Sequence, residues 1–179
     1  MFGIPFRQKV ILLTVVVLGV IIAGLYASRL LAMESLNVIV FLYGLLTPGI
    51  LVGSDLLIDL NDRNVFKCWI GVGLVFLLCF LFLRDTQALI LRPIRSDDTK
   101  YYRWIGNSAA EVLKCLPLFL AAYWILNYLS KKARGMSLVS TYKLNKWYSD
   151  AGKRKVDWVD VVINILLYLI ILIGSIVKI

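Results

Sequence analysis

The stretch DLLIDLNDRN sets Asp55, Asp59 and Asp62 close together, and these carboxylates are the side chains of the chain best suited to a hard cation. Asp55 and Asp59 are four apart and share one face if a helix continues through them. Oxygen ligands of this kind suit magnesium or calcium, but the stretch has no glycine-punctuated calcium loop and no DxxDG-type phosphotransfer pattern. Carboxylates at a helix C-terminus oppose the helix dipole. Residue types alone therefore read them as solvated interface charges, offset by Arg63 and Lys67 across the turn. No metal site and no cofactor is expected.

Other chemistries are excluded more sharply. The chain contains no histidine, which removes imidazole as base, metal ligand and pH sensor. Cys68, Cys79 and Cys115 lie inside apolar runs without CxxC spacing and read as small buried hydrophobes. Neither a Ser/His or Cys/His arrangement nor a P-loop is present, so the expectation is a protein that is not an enzyme.

The second charged stretch is KKARGMSLVSTYKLNKWYSDAGKRK. It carries Lys131, Lys132, Arg134, Lys143, Lys146, Lys153, Arg154 and Lys155 against one acid, Asp150. Tyr142, Trp147, Tyr148 and Trp158 are interleaved with it or follow it. Such a segment suits the surface of an anionic membrane, where each basic residue contributes ~1 kcal/mol. The same residues suit an acidic face on a cytoplasmic protein. Direct nucleic-acid binding, by phosphate contacts and aromatic stacking, is the least favoured of the three.

What must position these residues follows from composition. The 179 residues are 60% hydrophobic and 17% charged, with a mean hydropathy of +0.83. A soluble domain of this length has no interior large enough for that much apolar surface, so lipid is the expected solvent. A membrane helix needs ~20 predominantly apolar residues. Five windows qualify: Lys9 to Tyr26, Leu36 to Ser54, Phe66 to Leu83, Ala109 to Tyr128 and Val159 to Val177. The expected fold is an all-α polytopic membrane protein, a single domain over residues 1–179 with an outer loop at 84–108 and a basic cytoplasmic loop at 129–158. The first window reads as a signal anchor. Four helices stay open as an alternative, because Asn164 lies in the last window, Asp157 and Asp160 flank its start, and Thr47-Pro48-Gly49 interrupts the second.

Counting lysine and arginine near the helix ends sets orientation. With the N-terminus inside, cytoplasmic segments hold Arg7, Lys9, Arg63, Lys67 and the eight cations of the basic stretch. Outer segments hold Arg29, Arg84, Arg92, Arg95, Lys100, Arg103, Lys114 and Lys178. The basic stretch supplies the whole margin and acts first as a topological anchor. This orientation places the N-terminus in the cytoplasm of a bacterial inner membrane.

Local signals refine the helices. Ser108 and Glu111 have the S-x-x-E spacing of a capping box for the fourth window, in which Pro117 is expected to produce a kink. Tyr101, Tyr102 and Trp104 on one side, and Tyr123, Trp124 and Tyr128 on the other, read as interfacial aromatic belts. In the second window Pro48 denies a hydrogen bond to the Gly44 carbonyl, Gly49 adds backbone freedom, and Thr47 is the nearest hydroxyl that could compensate. An ordinary proline kink accounts for this pattern. A broken helix lining an ion or substrate site is the sharper alternative. Gly49 and Gly53 form a GxxxG pair that favours helix association, hence a homo-oligomer. The outer loop RDTQALILRPIRSDDTKYYRWIGNS is held to the bilayer surface by snorkelling arginines, or engages an anionic headgroup or an extracytoplasmic partner.

In size, helix hairpins and the basic loop Lys131 to Lys155, the chain resembles the small polytopic membrane subunits of bacterial phage-defence systems, of the type found in Kiwa. That resemblance implies a sensor of infection at the envelope that recruits a cytoplasmic, nucleic-acid-acting partner through the loop. It transfers no functional residue, because no diagnostic motif carries it. Two functions remain in view. One is a non-enzymatic scaffold or sensor that self-associates and recruits a partner. The other is an oligomeric pore built around Thr47-Pro48-Gly49.

Overall fold

The computed structural model of the protein describes residues 4–28, 33–54, 56–83, 109–139, 141 and 156–177. They form six α-helices: α1 (Phe6–Ser28), α2 (Met33–Val52), the short α3 (Leu56–Asp59), α4 (Arg63–Leu83), α5 (Cys115–Arg134) and α6 (Trp158–Ile176). A 3-10 segment, Ala109–Lys114, leads directly into α5. No strand occurs among the described residues. Five helices, all except α3, are long and apolar enough to cross a membrane. The architecture is therefore the all-α, five-span arrangement read from the apolar windows.

α2, α4, α5 and α6 form the bundle, and the 3-10 segment wedges among α2, α4 and α6 at one end. The middle of the bundle is apolar, filled by Val40, Phe76, Leu116, Phe119, Leu167 and Ile171. Lipid tails are as apolar as these side chains, so close packing and interhelical hydrogen bonds hold the helices together more than hydrophobic burial does. α1 lies outside, against α2 and α4. Only 6% of its span is buried, against 50% for the span Ala110–Arg134, so α1 presents most of its surface to lipid.

Glycine spacing decides where helices touch. A methyl group on Gly44 would lie 3.0 Å from the carbonyl carbon of Val112 and 3.2 Å from the Leu113 nitrogen. These are backbone atoms that cannot swing away, so Gly44 sets the approach of α2 to the 3-10 segment. Within the GxxxG pair, Gly53 meets the Tyr168 hydroxyl of α6 inside the same chain, while Gly49 has open space beside it. Gly44→Ala is expected to lower the stability of the fold by about 1–3 kcal/mol through overpacking, and Gly49→Ala, which meets no atom of its own chain, to leave the fold of the chain intact. Thermal midpoints in mild detergent check the difference.

Two local expectations need correction, and the sharper alternative of a broken α2 is not what the helix shows. α2 runs unbroken through Pro48 from Met33 to Val52. The Thr47 hydroxyl donates to the Tyr43 carbonyl (2.7 Å) rather than to that of Gly44. Ser108 lies outside the described residues, and Glu111 does not cap α5, because the turn that contains it is 3-10 and α5 begins only at Cys115. Pro117 consequently falls in the first turn of α5, where a missing N–H is tolerated and no mid-helix kink follows. A capping box does form, at α6. There the Asp157 N–H donates to Asp160 Oδ2 (3.0 Å).

α5 also continues past Tyr128 to Arg134, so Lys131, Lys132 and Arg134 belong to its last helical turn rather than to the loop. Cations there complement the helix dipole. Gly135 ends the helix in the left-handed conformation (φ 68°), and its N–H bonds the Lys131 carbonyl at 2.9 Å. Any other residue at this position would be strained.

Candidate functional site

Polar side chains gather at the two ends of the bundle. At the end formed by the starts of α1, α4 and α6 and the finish of α5, they make a connected floor. Gln8 is fully buried and serves as its hub: it donates to the Leu56 carbonyl (3.2 Å) and to Asp59 (3.0 Å), and it accepts from the Trp69 indole (3.0 Å). Arg7 holds Asp59 through two parallel bonds of 2.8 and 2.7 Å. Such a bidentate pair is stronger and more directional than a single contact.

The carboxylates read as a loose acidic cluster thus do separate jobs. Asp59 ties α3 to α1 through Arg7, not through Arg63 or Lys67. Asp62 caps α4, accepting from the N–H groups of Asn64 (2.7 Å) and Val65 (3.3 Å). Asp55 lies outside the described residues. Arg63 and Lys67 are exposed.

On the other side of this floor the chain leaving α5 is clamped. Asn127 accepts from the Leu138 N–H (3.0 Å) and donates to Asn61 (2.8 Å). Asn61 donates to the Leu138 carbonyl (3.2 Å), and Asn164 donates to the carbonyl of Val139 (3.0 Å). Leu138 and Val139 are buried. Non-helical backbone at this depth is tolerated because side chains satisfy it. Asn164, the residue that made the last span doubtful, is one of those side chains.

Arg134 completes the clamp. Its guanidinium donates to Asp160 (3.1 Å), Asp157 (3.4 Å) and Ser130 (2.6 Å). Asp160 is fully buried. Arg134 stands where the basic segment begins, and Asp157 and Asp160 stand where it ends. One residue therefore ties the base of the loop together. Lys131 and Lys132 are exposed. Lys143, Lys146, Lys153, Arg154 and Lys155 lie outside the described residues, as do Tyr142, Trp147 and Tyr148 and the outer-loop aromatics Tyr101, Tyr102 and Trp104.

Between α4 and α5 the floor opens as a cleft of about 170 Å³, with Arg63 and Lys131 on its rim, Asn61 and Asn127 at its base and Tyr128 on its wall. Trp124 and Tyr128 are exposed and stacked, centroids 6.3 Å apart, as interfacial aromatics should be. Tyr123 departs from the expected belt. It is buried and donates to the Leu57 carbonyl (3.3 Å), because it faces α3 rather than lipid.

The opposite end holds a second buried polar group. Lys114, 3% exposed, donates to Glu111 and to the Val177 carbonyl that ends α6, and its ammonium lies 5.6 Å from the centre of the Phe80 ring. Lysine thus caps α6 from a neighbouring element.

Sequence reasoning missed Gln8, Trp69, Asn127 and the Glu111–Lys114 pair. The available signal was a carboxamide or charge within or beside an apolar window, a class of residue that usually turns inward and finds partners in membranes. Comparison with protein-family models, with curated proteins and with solved structures yields no match for this chain.

Proposed function

We propose that the chain is a recruitment platform of the bacterial inner membrane, without enzymatic activity of its own. Its N-terminus and basic loop face the cytoplasm, and the loop docks a soluble partner with an acidic surface. The observation that carries this reading is the clamp. Arg134 joins the two ends of the loop through Asp157 and Asp160, while Asn127, Asn61 and Asn164 fix its first residues. With the two ends tied this way, the points where the polybasic stretch leaves and rejoins the bundle are held together, which lowers the ordering cost of binding.

Charge supports the orientation. Among the described residues, Arg7, Lys9, Arg63, Lys67, Lys131 and Lys132 are exposed at the loop end, whereas Lys114 at the other end is buried beside Glu111; over the whole chain the margin comes from the basic stretch. The apolar layer between the two polar ends favours a platform over a pore within one chain. Self-association draws on the open space beside Gly49, where another helix can approach closely. The resemblance to phage-defence membrane subunits suggests a nucleic-acid-acting protein as the partner.

Lys153→Glu, Arg154→Glu and Lys155→Glu combined are expected to cut partner co-purification from the native host by roughly tenfold or more at low salt. Helicity and elution volume should stay unchanged. Undiminished co-purification overturns the platform. Conductance of the purified protein in planar bilayers, altered by Pro48→Ala, would put an oligomeric pore in its place.

A further inference from the structure

The cleft between α4 and α5 does not end at its polar floor. A second, almost wholly apolar groove of about 320 Å³ follows the same pair of helices, lined by Ile70, Leu74, Pro117, Leu120 and Ala121. Phe66 and Trp124 line both compartments, so the two adjoin along the α4–α5 seam. From Phe66 to Leu74 along α4 the descent is ~12 Å at 1.5 Å per residue. That is close to one leaflet of a hydrocarbon core ~30 Å thick.

Among the described residues, the polar compartment is lined by two cations and no acid. The carboxamides of Asn61 and Asn127 are engaged with each other and with Leu138, and the Tyr123 hydroxyl is engaged with Leu57. Arg63 and Lys131 remain at the rim, with no acidic partner among the described residues. Stacked Trp124 and Tyr128 mark the headgroup level. Cations that merely snorkelled would need no apolar groove continuing beneath them.

We infer that this crevice binds a single anionic phospholipid, its phosphate between Arg63 and Lys131 and one acyl chain in the groove of Ile70, Leu74 and Ala121. The site is separate from the basic loop and does not depend on the proposed partner. Its specificity is for the headgroup's net charge, because a zwitterionic headgroup brings its own cation against the guanidinium and ammonium that hold the phosphate, while the groove accepts any chain long enough to fill it.

Native mass spectrometry of the full chain in mild detergent, with dioleoyl phosphatidylglycerol or dioleoyl phosphatidylcholine added, tests the site. The phosphatidylglycerol adduct should survive activation that strips phosphatidylcholine. Arg63→Gln with Lys131→Gln should weaken phosphatidylglycerol binding by roughly 30-fold, with helicity unchanged. Lys131→Gln alone, on an exposed position, should weaken it roughly fivefold and serves if the double variant misfolds. Ala121→Phe, which fills the groove from its exposed side, should weaken dioleoyl but not dihexanoyl phosphatidylglycerol. Neutralising Lys143, Lys146, Lys153, Arg154 and Lys155 should leave the adduct intact. Equal retention of the two lipids, full retention by both rim variants, or loss only on neutralising the loop overturns the assignment.

Discussion

Lys114→Met is expected to lower stability by about 3–5 kcal/mol, the cost of leaving one member of a buried ion pair alone. The Lys114 side chain is only 3% exposed, and its ammonium serves Glu111, the Val177 carbonyl just past α6 and the face of Phe80 together. Methionine fills the volume but leaves the Glu111 carboxylate and the helix end without a donor. Adding Glu111→Leu should recover most of the loss, since a pair replaced by apolar side chains is often no less stable than the original. Thermal midpoints of the two single variants and the double variant in mild detergent give the coupling. If Lys114→Met melts with the wild-type protein, the carboxylate has another partner and the pair does not hold α6 in place.

The second large effect is expected at Arg134. Arg134→Met removes the guanidinium that neutralises the fully buried Asp160 and breaks the ion pair with Asp157, at a cost of about 3–5 kcal/mol. Asp160 Oδ2 still accepts the Asp157 N–H, so the capping box survives and α6 keeps its start. The loss therefore falls on the base of the loop. Limited proteolysis should cut within residues 140–155 faster in the variant, while the helices stay protected. Combining it with Asp160→Asn should regain part of the stability, because the buried charge is gone, but not the resistance to proteolysis, because the two ends of the loop are no longer joined. Proteolysis at the wild-type rate in Arg134→Met would show that the loop base is held by other contacts.

Both effects arise from charged residues that look ordinary in the sequence. Lys114 counts as one more outer cation, and Arg134 as one of eight cations in a basic run. Their partners expose the difference: the Val177 carbonyl is 63 residues from Lys114, and Asp160 is 26 from Arg134. The Glu111–Lys114 spacing of three was visible, but S-x-x-E at Ser108 and Glu111 offered a competing local explanation. The 3-10 geometry of Ala109–Lys114 removes that cap and turns both side chains inward. Conversely, the D-x-x-D spacing of Asp157 and Asp160 was legible as a helix start, yet read as charge that weakened the span.

The amino-acid sequence by itself determined the solvent, the helix class and the five spans, because ~20 apolar residues in a row leave few alternatives for the backbone in lipid. It also placed the basic stretch between the fourth and fifth spans, since connectivity is read along the chain. Only the tertiary structure decided which polar side chains face inward. Helices that are apolar nearly all round have no polar stripe to mark an inner face. Gln8 and Trp69, 61 residues apart, become partners only when α1 and α4 lie side by side. The α4–α5 crevice is likewise a product of packing: Arg63 and Lys131 become one rim because an antiparallel pair brings the start of one helix to the end of the other.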